Sequence, residues 1–227
     1  MAGQPNKKYE HFDHQKENSI PVISGSGGGD SGQTMLSGKI NKWLRLRKLP
    51  DEDDSSWVKR IIEDQKIIDK YSSHLLVAVS FNTSSSRVTA IASAQKNIGN
   101  LWMPVIGTKP PTFIEATACA VWLNSTLGRI ALRRVSARSI NWPRFRPINF
   151  NDVPLPDVDN PDIIERLSLA YEETCNEIVP IFRDGISGVR TIWDDAVSEA
   201  LQIDRKVIYR CAELLARDPY VSGEPLQ

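Results

Sequence analysis

Cysteine and histidine are scarce in this chain, three of each in 227 residues, and long apolar runs are lacking altogether. Cys119, Cys175 and Cys211 are far apart, odd in number and each set in an apolar helical pattern. They read as buried free thiols, which excludes a disulfide framework and a cysteine metal site. His11 and His14 sit in a polar leader without partner ligands, so no zinc centre is expected. No stretch approaches the roughly 18 to 20 apolar residues that a membrane helix needs, and the first residues are polar where a signal peptide would be apolar. The expected setting is the cytoplasm, with no membrane and no metal. No Ser/His/Asp, Cys/His or paired-carboxylate arrangement stands out, which leaves an enzyme with its own active site without support.

Acid is missing from one long stretch. Between Lys70 and Asn151 ten bases accompany a single acid, Glu115, for a net charge of +9. From Asp152 onward sixteen acids stand against seven bases, a net of −9, while residues 1–69 balance at eleven against eleven. The zero net charge of the whole chain therefore hides a basic region and an acidic one. The last six bases of the block are all arginine: Arg129, Arg133, Arg134, Arg138, Arg144 and Arg146. Guanidinium groups bind phosphate through paired hydrogen bonds and also read guanine edges, so the block favours a polyanionic partner.

With 41% hydrophobic residues the chain has enough apolar material for a substantial core. Three regions are expected. Residues 1–38 are polar and hold five glycines between Ser24 and Gly32, the composition of a disordered or remnant leader. Residues 39–151 read as a basic α/β (α+β) domain. Its helix begins near Asp54, with Ser55 or Ser56 as cap, and short strands over 74–81, 87–92 and 101–106 form a small, mostly antiparallel sheet, the simplest order being a meander. A buried helix over 113–123 follows, capped by Thr112 and apolar almost all round. Asn124 is expected to cap the break to a second helix, on which Arg129, Arg133 and Arg134 make one exposed basic face. Beyond it Trp142 precedes Pro143, and Arg144 and Arg146 lie between Pro143 and Pro147, an aromatic and basic mixture suited to stacking on bases and contacting phosphates. Residues 152–227 read as an acidic helical region with stripes at Ile164, Leu167, Tyr171, Cys175 and Ile178, at Trp193, Ala196, Val197 and Ala200, and at Val207, Ile208, Cys211 and Leu215. Trp102, Trp122 and Trp193 are assigned to the core.

Five strings carry a family likeness: NTSSSRVTA at 82–90, GNLWMPV at 99–105, VWLNSTLG at 121–128, VPLPD at 153–157 and IWDDAVSEAL at 192–201. In this order they resemble the C-terminal target-recognition region of adenine-specific DNA methyltransferases of restriction-modification and phage-defence systems. The similarity spans about residues 40 to 218, and WLNST is its most distinctive piece. The resemblance implies an α/β recognition domain that contacts double-stranded DNA, joined to a catalytic domain or subunit that binds S-adenosylmethionine and methylates adenine. That catalytic half would show a glycine-rich turn after a strand and an Asn-Pro-Pro-Tyr-type loop holding the flipped base. Neither is found. The glycines at 25–29 are expected to have no strand before them and no helix after, and Asp218-Pro219-Tyr220 lacks the second proline. The chain thus resembles the recognition half alone, as a fragment, a truncated gene product or a separate subunit, without cofactor of its own.

The candidate DNA-binding residues are Arg87, Arg129, Arg133, Arg134, Arg138, Trp142, Arg144 and Arg146. Two competing readings remain open. The basic block pairs with the acidic tail, or it docks an acidic protein partner as an interaction module. A third candidate is a helix-turn-helix over 195–214, turning at residues 202–204 and exposing Lys206, Tyr209 and Arg210. Against it stand Asp194, Asp195, Glu199, Asp204 and Glu213, which would repel phosphate.

Overall fold

The structure, a computed structural model, describes residues 8–24, 35–79, 81, 86–99, 101–136, 150–182 and 188–217. The chain runs β1 (Tyr9–Phe12), β2 (Ile20–Ile23), β3 (Lys42–Leu46), α1 (Asp54–Tyr71), β4 (Ser73–Ala78), β5 (Ala90–Gly99), β6 (Trp102–Pro104), α2 (Phe113–Asn124), α3 (Thr126–Val135), α4 (Pro161–Thr174), α5 (Val189–Leu201) and α6 (Arg205–Ala216). The six strands form one mixed sheet in the order β1-β3-β2-β5-β4-β6. Its only parallel pairing between these strands joins β2 to β5, so the α/β class and the mostly antiparallel sheet are as expected.

The amino-terminal region departs from expectation. Its residues 9–12 and 20–23 are strands, all four residues of β2 are buried, and Leu36 is fully enclosed. β1 and β2 flank β3, a five-residue strand that pattern reasoning missed. Tyr9-Glu10-His11-Phe12 carries too little apolar alternation to register as a strand alone. It is held from outside, where the Tyr9 hydroxyl donates to Asp64 Oδ2 at 2.9 Å and Lys8 pairs with Asp64 at 2.5 Å. β2 also supplies a strand directly before the glycine-rich stretch, contrary to expectation. From Met35 the chain continues as coil, an isolated bridge from Ser37 to Ala92 and then β3, rather than as a helix.

The meander is replaced by a different order, since β6 adds to the far side of β4 and does not extend beyond β5. β5 also runs later than the 87–92 run. Its register against β4 jumps between Ser73↔Asn97 and Leu75↔Ala92, and residues 94–96 protrude into solvent as the irregularity. Asn97 stabilises it by donating to Ser93 Oγ at 2.8 Å and Gln95 O at 2.5 Å. Past that kink Ile98 and Gly99 are free to pair with Val22 and Ile23.

Helix ends follow local chemistry closely. Asp53, and not Ser55 or Ser56 as expected, caps α1 by accepting from Ser56 N–H. Thr112 and Glu115 form a capping box, in which Glu115 N–H donates to Thr112 Oγ1 at 3.3 Å and Thr112 N–H to Glu115 Oε2 at 2.6 Å. The one acid of the basic block therefore serves a helix terminus. Residues 116–124 of α2 are all buried, because α2 packs between the sheet on one side and α4 and α5 on the other. A single apolar cluster runs from Ile23 through Trp102, Trp122 and Leu167 to Trp193 and Ile208. It crosses the expected boundary at residue 151, so the described parts of the basic and acidic regions share one core. The stripes on α4 and α5 point into it, but Ile178 and Val207 are exposed, and Ala212 takes the inward place on α6.

Candidate nucleic-acid interface

Between α2 and α3 the WLNST string makes a break only one residue wide. Ser125 ends one helix and caps the next: its hydroxyl donates to Trp122 O at 2.7 Å and accepts from Gly128 N–H at 3.2 Å. So tight a corner excludes a side chain at 128, where a Cβ would lie 1.9 Å from Trp122 O. Asn124 is not the cap. It is fully buried, and its Oδ1 accepts from Thr89 N–H at 2.7 Å while Nδ2 donates to Ala90 O and Ala120 O at 2.7 Å each. The side chain thereby ties the end of α2 to the start of β5. Thr126, first residue of α3, donates its N–H and hydroxyl to Asp194 of α5 at 2.8 and 2.6 Å. A carboxylate at this helix start complements the positive end of the macrodipole. Burial pushes the Asp194 carboxyl above its ordinary range, against the opposing pull of Thr126 and Arg190.

Arg129 does not join an exposed face. It is fully enclosed, donating from Nη2 to Arg87 O at 2.5 Å and Ser86 O at 3.2 Å. Arg190 of α5, also buried, donates from Nη2 to Arg87 O at 2.9 Å and Pro180 O at 2.8 Å. Both guanidiniums lie over the Phe182 ring, 5.5 and 5.1 Å from its centre, a placement in which the ring face partly replaces water. Desolvation drives the Arg129 guanidinium well below its ordinary pKa, with Arg190 adding to the shift, and brings Arg190 to about 10. Arg87 is half-buried and spends Nη1 on Val179 O at 2.7 Å. Arg129 is thus part of the interior framework and not a DNA contact as expected, while Arg87 is half-buried and joined to that framework through Nη1 and its carbonyl.

The reason lies in helix geometry. At 3.6 residues per turn Arg129 and Leu132 share the inward side of α3, while Arg134 stands about 140° around the helix from Arg129. Arg133 is half-exposed and Arg134 exposed at the last turn, which Ser136 closes by donating to Arg133 O at 2.8 Å. Arg138, Trp142, Arg144 and Arg146 lie outside the described residues. Parts of three strings of the family likeness therefore meet in one buried polar network, residues 86–90, residues 124–128 and Asp194, joined by Arg129 and Arg190 from just outside the strings. The sequence offered one overlooked signal for it, an arginine and an aspartate four apart, Arg190 and Asp194, on the apolar side of a helix.

Elsewhere, among the described residues, no group of three or more His, Cys, Asp or Glu side chains is placed to hold a metal ion, and no helix is long and apolar enough to cross a membrane. A shallow groove of about 300 Å³ between β2, α1 and β5 is lined in part by Asp69, Ser72, Gln95 and Lys96, and gathers none of the candidate arginines. Among the described residues the ion pairs of the acidic tail join tail residues to each other: Arg166 to Glu199, Arg205 to Asp195 and Arg210 to Glu213. No protein-family model, curated protein or solved structure matches this chain.

Proposed function

We propose that this chain is the DNA target-recognition part of an S-adenosylmethionine-dependent, adenine-specific DNA methyltransferase, acting in the cytoplasm without catalytic machinery of its own. The observation that carries the reading is the separation of charge. The tail acids Glu199, Asp195 and Glu213 are occupied by tail bases, and Glu115 by its capping box and Lys109 at 3.7 Å. Arg134, at the outer end of α3, is exposed and is not among the partners of these acids. Arg133 and Arg134 are assigned to phosphate in the described part, with Arg138, Trp142, Arg144 and Arg146 continuing the surface. The family strings support the reading in a second way. They account for each other physically, since Asn124, Thr126 and Asp194 bind one another's segments, and strings so coupled are expected to occur together. Methyl transfer would be carried by a catalytic domain in cis or trans that holds S-adenosylmethionine.

Fluorescence anisotropy of a labelled mixed-sequence DNA duplex across a salt series tests the proposal. Affinity should fall steeply with salt, with a log–log slope of about 0.9 for each phosphate neutralised. Arg133→Ala with Arg134→Ala should weaken binding and flatten that slope. No binding even at low salt would overturn the proposal and favour an acidic protein partner.

A further inference from the structure

We propose that α5, the turn after it and α6 form a second DNA-contacting unit, with α6 laid against the phosphates of a duplex through Lys206, Arg210 and Arg217. The inference rests on the DNA-recognition reading but names a surface that reading does not use. α5 and α6 are joined by residues 202–204 alone, with Gln202 left-handed at φ 53° and Asp204 capping α6 by accepting from Lys206 N–H at 2.8 Å. A turn of this length joins the helices of a helix-turn-helix, whose second helix enters the major groove. α6 is cleanly divided. Ile208, Ala212 and Leu215 are buried on one side. Lys206, Arg210 and Arg217, spaced by four and seven residues, fall within about 40° of each other on the opposite side, and all three are exposed. Val207 and Leu214 flank the stripe, exposed at 51% and 53%, and such apolar groups suit the methyl of thymine.

The acids that argued against this reading on sequence alone are dealt with by the fold. Asp194 is buried on Thr126. Asp195 is held by Arg205 at 2.6 Å and by the Tyr209 hydroxyl at 2.8 Å, which also occupies that hydroxyl. Glu199 pairs with Arg166, and Asp204 is a cap. Of these five acids only Glu213 shares the stripe, in an exposed pair with Arg210 that phosphate can displace. Placement adds to the case. Ile130 of α3 packs against the cluster of Phe182 and Leu215 of α6, so the turn of α3 that carries Arg133 and Arg134 borders the end of α6 that carries Arg217.

Lys206→Ala with Arg210→Ala and Arg217→Ala tests it, alongside the α1 variant, Lys48→Ala with Lys59→Ala and Lys66→Ala, which removes equal charge from exposed positions on and beside α1 and outside the basic block. Each full-length variant is titrated with the labelled mixed-sequence duplex across the salt series, and its melting temperature is compared with the parent. The expected result for the α6 variant is an unchanged melt, binding about tenfold weaker or more near 0.1 M salt, and a slope reduced by about 0.9 for each phosphate no longer neutralised. The α1 variant should stay close to the parent. If the parent binds and Arg133→Ala with Arg134→Ala weakens it, while the α6 variant does no more than the α1 variant, the inference fails and the recognition reading stands. If the parent does not bind at low salt, both fall.

Discussion

Replacing Asn124 by alanine should be among the most damaging single changes in this protein, although the side chain is small and polar. Its amide satisfies two main-chain groups at the start of β5, the Thr89 N–H and the Ala90 carbonyl, each at 2.7 Å. Two other partners are less dependent on it. The Thr89 hydroxyl also donates to Leu123 O at 2.8 Å, and Ala120 O lies within the hydrogen-bonding pattern of α2. The alanine variant therefore strands one buried donor and one buried acceptor, and each such loss costs about 1–3 kcal/mol. The sum is about 4 kcal/mol, to which the small cavity adds. For a chain of this size each kcal/mol lowers the melting temperature by about 2 to 4 °C, so a drop of about 12 °C is expected. Urea unfolding followed by circular dichroism checks it, with the midpoint falling and the slope unchanged. Asn124→Asp separates geometry from chemistry, because it keeps the acceptor for Thr89 while facing Ala90 O with a second acceptor. It should be no milder than alanine. A loss below about 1 kcal/mol for Asn124→Ala would refute the argument that this side chain joins α2 to β5.

Asp194→Ala removes the acid whose charge favours the two buried guanidiniums and leaves Thr126 without an acceptor, so a loss of about 3 kcal/mol or more is expected in urea unfolding. Asp194→Asn, which keeps an acceptor for Thr126, should cost less; if both variants unfold like the parent, the network does not hold α3 to α5. Of the three cysteines expected to be buried only Cys119 is, its thiol pushed up to about 12, while Cys175 and Cys211 are half-buried, so Ellman's reagent should titrate Cys175 and Cys211 in the folded protein and Cys119 only after unfolding. Between pH 9 and about 12 the unfolded chain loses that thiol proton while the folded chain keeps it, and stability must fall as pH rises through this window. The buried Tyr171 phenol shifts the same way, so urea midpoints at about pH 8 and about pH 10.5 should show the decline.

Short-range chemistry was legible in the chain. Thr112 with Glu115, the apolar run of α2 and the turn at 202–204 depend on neighbours within one or two turns, and the structure has them where spacing and capping rules put them. The strands fared worse in proportion to how far away their partners lie. β1 is anchored by α1, some fifty residues along, and β5 continues past Ala92 because β2 offers it a parallel edge. Charge sign was equally plain, and charge position was not. Arg129 and Arg134 are the same residue type five apart on one helix, yet one is enclosed and the other exposed. The first faces Ser86, Arg87 and Phe182, segments more than forty residues away in both directions, and the second faces away from them. Composition thus sets how much positive charge the protein carries, and helix periodicity sets which residues can share a side. Which side becomes interior is settled only when distant segments pack against it, because burial of a cation is tolerated solely where carbonyls and a ring from those segments replace its water.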